Sequence, residues 1–371
     1  MHNEATVLIV ALSGRALAAS ARRGGYMPLV ADMFGDRDTL HAACRHVRLA
    51  GGLVSGIGEQ DLIDALQMLG KGQEPIGVVY GTGFEDRTRL LRRIADGWRV
   101  LGNKAEVVAK LKDPQTFSFV CSSLNIPSPE ISLPEPASRH GWLAKRQGGS
   151  GGAHIKSADE DARGGIYYQR KVSGTPISAC FLANGERAHI LGFSAQWSSP
   201  KPRQPYRYGG AVRPAPLAPN IADKLTGAVQ RIVAATSLVG LNSADFLVDS
   251  ECFWLLEINP RPGATIDIFE TEEASLFARH VAACSGKLPP ASNFAADAKA
   301  ASIVYAEQDV GCVSIPSWPA WAADLPAAGS SIKAGEPICT VYASAFAAKA
   351  ARELAEKRRQ TVISWTRAGN S

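Results

Sequence analysis

The sequence predicts an α/β protein built from two or three domains, and three observations lead there. Its 371 residues exceed what a single core usually serves. The first hundred residues alternate continuous apolar runs with stretches of helical periodicity, the pattern of an open, largely parallel sheet. Glycine loops and hairpin signals then replace that alternation, so a second arrangement of strands and helices comes after the first. Hydrophobic residues make up 46% and charged residues 20%, an ordinary globular composition.

The formal net charge of +5 suits an anionic small molecule. No Lys/Arg block with interleaved aromatics occurs, so no nucleic-acid partner is expected. No apolar stretch approaches ~18–20 residues, so no membrane span is expected either. The cysteines are scattered without a CxxC pair and read as free thiols of a cytoplasmic protein.

Taken in order, Thr6–Leu12 is a continuous apolar run and predicts a buried parallel strand. It is not read as a secretion signal: its apolar core is only "VLIVAL", Glu4 precedes it and Arg15 interrupts the next stretch. "SGRALAASARRGG" predicts a loop and a helix ending at glycines, and "YMPLVADMF" a second strand that closes a βαβ unit. "EQDLIDALQMLG" predicts a helix and "IGVVYGTGF" a strand. An N-terminal open α/β domain is therefore expected over residues 1–103.

A central domain is expected over 104–290. Asn103 and Asp113 predict the N-caps of two short helices, with Pro114 at the first position of the second. "GWLAKRQGGSGGAHI" predicts strand, glycine loop, strand. Asn184-Gly185 predicts a hairpin turn. "SSPKPRQPYRYGGAVRPAPLAP", rich in Pro, Arg and Gly, predicts a long stretch that is functional or mobile. A helix near Ile221–Thr236 precedes "SADFLVDSECFWLLEINPRPG", two strands joined by a tight turn. Residues 291–371 are expected to add short strands turning at Gly335 and a terminal helix.

Three groups of residues carry chemistry. Lys145 leads into Gly148, Gly149, Gly151 and Gly152. Glycines let backbone N–H groups turn toward an anion, and a lysine adds a point charge for phosphate. The pattern is neither GxGxxG nor GxxxxGK[ST], so a dinucleotide fold and a P-loop are both excluded, and by itself the loop could be a plain hairpin turn. Asp245 and Glu257 fall on the two strands of the hairpin, where paired carboxylates repel unless a cation bridges them. Asn259, two residues beyond Glu257, shares its face. Oxygen ligands without histidine or thiol suit Mg²⁺. Arg261, held between prolines beside that set, can neutralise phosphate charge.

Together these residues resemble the ATP-grasp superfamily, and within it the carboligases related to biotin carboxylase. The resemblance runs from about Val100 to Val341, with the α/β domain in front. It implies a central ATP-grasp fold of two α+β subdomains behind an N-terminal pre-grasp domain, closed by a short C-terminal β/α segment. It implies ATP and Mg²⁺, two ions, as cofactors, with Asp245, Glu257 and Asn259 as metal ligands. Lys145 and the glycine loop would cover the nucleotide. Gln169 by its side chain and Arg170 and Val172 by their backbone would cradle adenine, with Gly174 closing the turn. Arg261 and Lys145 would be catalytic.

Two positions depart from the family. Pro114 stands where an ATP-binding lysine is common, leaving Lys112 to substitute, and Gln169 or Ile177 stands where glutamate is frequent. No biotin-attachment motif is present.

The chemistry implied is ligation of a small-molecule acid to an amine through an acyl phosphate, in cofactor or amino-acid-conjugate biosynthesis, by a cytoplasmic enzyme compatible with a homodimer. The alternatives are a phosphotransferase or carboxyphosphate-forming enzyme, or a nucleotide-binding module without catalysis. For the substrates, Arg203, Arg207 and Arg213 with Tyr206 and Tyr208 offer guanidinium forks, unless their loop is merely surface. Thr265 and Asp267 are candidates to meet the amine. The seven histidines show no metal-ligand spacing, and His154 stands out only because it follows the glycine loop.

Overall fold

The computed structural model describes residues 5–52, 55–160, 165–271, 274–289, 297–313 and 317–368. Glu4 and the first residues of the C-terminal segment expected from 291 lie outside them. The N-terminal sheet has four parallel strands in the order Arg45–Arg48, Met27–Asp32, Thr6–Val10 and Val78–Tyr80. Its central strand is buried on both faces, which is why it reads as an unbroken apolar run. Leu8 and Val10 pack with Leu62, Leu66 and Phe84 on one side. Val7 and Ile9 face the other way, into a core that also holds Leu182, Leu241, Phe269 and Ala301. The N-terminal domain therefore shares a core with the sheet that comes after it.

That sheet has eight strands, ordered Phe253–Asn259, Val239–Val248, Thr175–Asn184, Ala188–Ser198, Tyr208–Arg213, Ala298–Tyr305, Pro337–Ala345 and Ala322–Ala323. The Asn184-Gly185 turn joins the third and fourth strands, pairing Ala183 with Ala188. Helix Pro219–Thr236 covers one face, burying Leu225, Val229 and Ile232 against Ile177, Phe181 and Phe246. The sheet does not stop at residue 290, because Tyr208–Arg213 pairs antiparallel with Ala298–Tyr305. Helix Ala348–Ala368 then lays Ala351 and Ala355 on Ala298, Ala300 and Ala343, a close approach that small side chains permit.

A smaller sheet of four short strands, Ile131–Ser132, Ile166–Arg170, Trp142–Arg146 and Lys156–Ser157, forms a second layer with its own core of Trp142, Ala144, Ala158 and Tyr168. A link of four residues, 171–174, joins it to the large sheet. No helix among the described residues is long and apolar enough to cross a membrane.

Four local expectations are corrected. The stretch expected as one long loop carries the strand Tyr208–Arg213 inside the large sheet, paired on both sides. Asp113 caps helix Pro114–Ser123 as predicted, its side chain accepting from the Thr116 N–H, but Asn103 caps nothing. The helix Ala105–Lys112 is entered through Lys104, while the Asn103 amide donates to Pro260 O at 2.9 Å and to Asn242 Oδ1 at 2.8 Å. Buried carbonyls elsewhere in the chain outbid a local cap. The strand after the glycine loop begins at Lys156, beyond the "AHI" expected to start it. At Gly335 the chain turns, yet only Pro337–Ala345 is a strand, and Ile332 makes a single bridge to Val310.

Candidate active site

Asp245 and Glu257 are direct cross-strand partners at the edge of the large sheet. The register slips immediately after them, so Phe246 pairs with Leu255 and Leu256 is the extra residue. Such a bulge twists the strand and re-aims its side chains. Asn259 Nδ2 donates to Asp245 Oδ2 at 2.9 Å. Ser178, opposite Asp245 on the neighbouring strand, donates its hydroxyl to Oδ1 at 2.6 Å. Lys112, at the end of its helix, places Nζ 3.1 Å from Glu257 Oε2 and 2.9 Å from Asn259 Oδ1.

Burial, and then the Glu257 charge, push the Asp245 carboxyl above its ordinary range. Burial acts on Glu257 in the same direction, but the Lys112 and Lys145 ammonium groups outweigh it and hold that carboxyl low. Two acids facing each other with an amide oxygen beside them form a hard, all-oxygen donor set. Among the described residues no group of three or more His, Cys, Asp or Glu could hold a metal. Mg²⁺ takes one or two carboxylates and fills its shell with water and phosphate, and the pair Asp245/Glu257 is of that kind.

Lys145 lies in the small sheet, in register with Tyr167, so that Lys145, Tyr167 and Gln169 share one face. Its Nζ donates to Gln169 Oε1 at 3.1 Å and stands 6.0 Å from the Tyr167 ring centre. Burial lowers its pKa, while Glu257 and Asp245 pull it back up, so all three charges lie within one electrostatic neighbourhood. Beside them Pro114, Phe117, Tyr167, Gln169, Leu255 and Leu256 line a narrow cleft between the two layers. Ser118 and Ser128 add hydroxyls to this mostly apolar slot, which is nearly closed in this structure. The Arg170 side chain is stacked on Trp142 at 4.4 Å, and its backbone N–H donates to Glu130 O at 2.8 Å. Val172 sits in the link between the sheets. A roomier surface cavity lined by Asn125, Asp223, Lys224, Arg231 and Phe253 contains none of these chemical groups, and we place the site where the charges converge.

The glycine loop bridges the layers. Gly148 has φ +66° and approaches Asp86 so closely that a Cβ there would stand 2.6 Å from the Asp86 Cβ. At its far end the loop rests on the arginine-rich segment: Tyr208 N–H donates to Gly151 O at 2.9 Å, and a Cβ on Gly152 would overlap Tyr206 O. Gly149 lies under the ring of His154, where any side chain would collide with the imidazole. His154 Nδ1 is shielded from solvent and has no hydrogen-bond partner. Burial takes that imidazole down to about 4, so it is neutral at neutral pH, with Glu257 and Lys145 both in electrostatic reach.

Arg261 is buried, and its Nε donates to Glu85 Oε1 at 2.6 Å. Glu85 is pinned in turn by the N–H groups of Gly83 and Phe84 at 2.8 and 2.9 Å. Burial would raise the Glu85 carboxyl, but Arg261 and Lys112 keep it low. Tyr80 and Asn103 both bond Pro260 O, so the N-terminal domain positions the arginine turn. Sequence reading missed Glu85, Ser178 and the setting of His154. Their signals were present as an acid after a strand, a serine on a strand and a histidine after glycines, but nothing local pairs them with the site.

The expected substrate residues are dispersed. Tyr208 is near the acids, its hydroxyl pKa raised by burial and then by the Asp245 charge. Arg207 braces its own loop, donating to Ser199 O at 2.9 Å and Gly335 O at 3.1 Å with its guanidinium 3.7 Å from the Tyr305 ring centre. Arg213 is buried against Ile268 O and Asp297 O. Thr265 is buried at the N-cap of the short helix Ile266–Phe269. Asp267 is held in a bidentate pair by Arg15 at 2.7 and 2.8 Å and by the Tyr342 hydroxyl at 2.8 Å. A buried charge needs a partner, and these found theirs away from the acid pair.

Residues 102–265 match the family model of the ATP-grasp domain. The carbamoyl phosphate synthase large chain of Rubrobacter xylanophilus is 22% identical over 225 residues, 52% of this chain, and the chain spans 21% of that protein's length. The biotin carboxylase domain of Hydrogenobacter thermophilus 2-oxoglutarate carboxylase, solved as a dimer with MgADP, ADP and bicarbonate, superposes with a TM-score of 0.73 at 13% identity, covering 91% of this chain and 86% of that chain. Staphylococcus aureus N5-carboxyaminoimidazole synthetase complexed with ADP gives 0.70 at 16% identity, covering 96% of this chain and 97% of that chain.

Proposed function

We propose that this chain, an ATP-grasp protein by its matched domain and its fold, is an ATP- and Mg²⁺-dependent carboxylate–amine ligase. The observation that carries the reading is the in-register pair Asp245/Glu257, with Asn259 beside it and Lys112 and Lys145 gathered on it, at the seam between two β-layers. Mg²⁺, held by Asp245, Glu257 and Asn259, would neutralise charge on the nucleotide phosphates. The cleft by Gln169 takes the adenine, with the Arg170 and Val172 backbone at its edge. Lys145 and Lys112 meet phosphate oxygens, Lys112 giving up its present bonds to Glu257 and Asn259. Arg261 faces the transferring group, kept in place by Glu85. The glycine loop, seated on Asp86 and on the Tyr206–Tyr208 segment, keeps water out.

In the reaction a substrate carboxylate oxygen attacks the γ-phosphorus and ADP departs, leaving an acyl phosphate. The amine nitrogen then attacks the acyl carbon, loses a proton and expels phosphate, forming the amide. Positioning and charge neutralisation do most of the work. A second reading is favoured by the bicarbonate in the Hydrogenobacter structure: the acid could be bicarbonate and the acyl phosphate carboxyphosphate. ADP release across a panel of acids and amines tests both. A ligase releases ADP when its acid and amine are both present. A carboxyphosphate-forming enzyme responds to bicarbonate without any other acid. ATP bound with no ADP released across the panel overturns both readings and leaves a nucleotide-binding module. By likeness to the same neighbour we expect a homodimer, which light scattering checks.

A further inference from the structure

Two cations have a claim on the oxygens of Glu257 and Asn259, and one of them belongs to the chain. Lys112 ends the helix Ala105–Lys112 and turns its side chain inward, only 6% exposed. Its Nζ stands 3.1 Å from Glu257 Oε2 and 2.9 Å from Asn259 Oδ1. These are two of the three residues read as metal ligands. The third, Asp245, accepts from Asn259 Nδ2, so one amide side chain links the lysine to both acids. The same ammonium helps to hold the Glu85 carboxyl low and counters the rise of Asp245. Lys145 differs: its Nζ bonds Gln169 Oε1, and it acts on the two acids by charge alone.

Resting on the nucleotide-site reading, we infer that Lys112 is a built-in competitor of the metal, its ammonium keeping the oxygens of Glu257 and Asn259 from free Mg²⁺ until nucleotide phosphates draw it away. Mg²⁺ binds oxygen at about 2.0–2.1 Å, so an ion on these two oxygens would crowd the ammonium that they already hold. Like charges at that range repel, most of all where water is scarce. A lysine suits the exchange, because its charge is a point on a flexible stem and can pass from carboxylate to phosphate while the helix stays still. An order of binding follows. Free Mg²⁺ meets a cation already in its place, whereas MgATP brings the anion that removes that cation. Metal and nucleotide therefore load together.

Titration of the full chain with Mn²⁺ and no nucleotide, followed by the paramagnetic resonance signal of the free ion, tests this; Mn²⁺ shares the preference of Mg²⁺ for oxygen ligands. Lys112→Met should bind Mn²⁺ about tenfold or more tightly than the unmutated chain, the scale of one hydrogen bond to a charged group. Lys145→Met, which removes an equal charge nearby but no bond to a ligand oxygen, should gain no more than about threefold. Adding Asp245→Asn to Lys112→Met should cancel the gain. Melting curves in chelator confirm that each variant is folded, and Mn²⁺ should then raise the Tm of Lys112→Met by more than that of the unmutated chain. Unchanged Mn²⁺ affinity in Lys112→Met would overturn the inference. Equal gains in the two lysine variants would do the same, since they would reflect charge in general, and so would a gain that survives Asp245→Asn, which would put the ion elsewhere. Failure of the unmutated chain to bind MgADP in calorimetry would instead overturn the site reading on which the inference rests.

Discussion

Asp245 and Glu257 face each other across a hairpin, and without a divalent cation their charges oppose folding. Asp245→Asn removes that repulsion. In the absence of metal the variant should melt at or above the temperature of the unmutated chain, while Mg²⁺-dependent ADP release falls by about a thousandfold or more. Differential scanning calorimetry with and without Mg²⁺ reads the first effect and a coupled ADP assay the second; a lower metal-free Tm would refute the like-charge account. Arg261 presents the converse case, a buried cation with one carboxylate partner. Glu85→Ala strands it and should cost on the order of 3 kcal/mol in urea unfolding, and Glu85→Ala with Arg261→Ala should cost less than the two single changes summed. Asp245 and Glu257 were plain in the sequence. Only the fold shows that Lys112 bonds Glu257 and that Glu85, which no local signal tied to the site, bonds Arg261.

At the scale of elements, the glycine loop was legible as a turn, because four glycines in five positions favour one whether or not it meets an anion. What it rests on was not legible, since Asp86 and Tyr206 are distant in sequence. The two contacts differ from a free turn in a way that can be measured. Gly148→Ala meets both a left-handed φ of +66° and the Asp86 side chain, whereas Gly151→Ala, at φ +67° with nothing within 4 Å, meets only the backbone strain. The KM for ATP should rise by about tenfold in the first and by no more than about threefold in the second, with Tm nearly unchanged in both because the loop lies outside the main cores. Equal KM effects would show that closure onto Asp86 is unimportant. The cap at Asn103 shows the limit of local rules: its propensity was good, but the carbonyl of Pro260 was the stronger claim.

For the molecule as a whole, three segments meet around Arg15. Asp267 from the central region and Asp324 and Tyr342 from the C-terminal segment all bond its guanidinium, and Asp38 from the N-terminal domain stands 3.8 Å away. Nearby, burial and then the charges of Asp324, Asp38 and Asp32 push the Asp36 carboxyl up to about 8. The folded chain thus keeps a proton that the unfolded chain gives up near pH 4. The contribution of this group to stability therefore declines as pH rises from about 4 to about 8 and is level beyond. Asp36→Asn abolishes that slope, and its Tm should exceed that of the unmutated chain by a few degrees at pH 8 and match it near pH 4. A pH series of melting curves decides; a constant difference at all pH values would count against the shifted acid. Because the same seam and the core around Val7, Leu182 and Ala301 tie all three segments together, residues 102–265 alone should not give a cooperative melt.

The sequence by itself determined the parallel N-terminal sheet, the acidic hairpin, the glycine loop and the proline-flanked arginine. Each is written in spacings of a few residues, where strand alternation, turn chemistry and helix caps act. Tertiary structure alone decided that Ser178 and Lys112 would hold the acids, that Glu85 would hold Arg261, and that Asp267, Arg207 and Arg213 would be claimed by other partners. Those choices depend on which charges are buried together, and burial is settled by sheet register and core packing between segments up to about three hundred residues apart, beyond the reach of any local pattern.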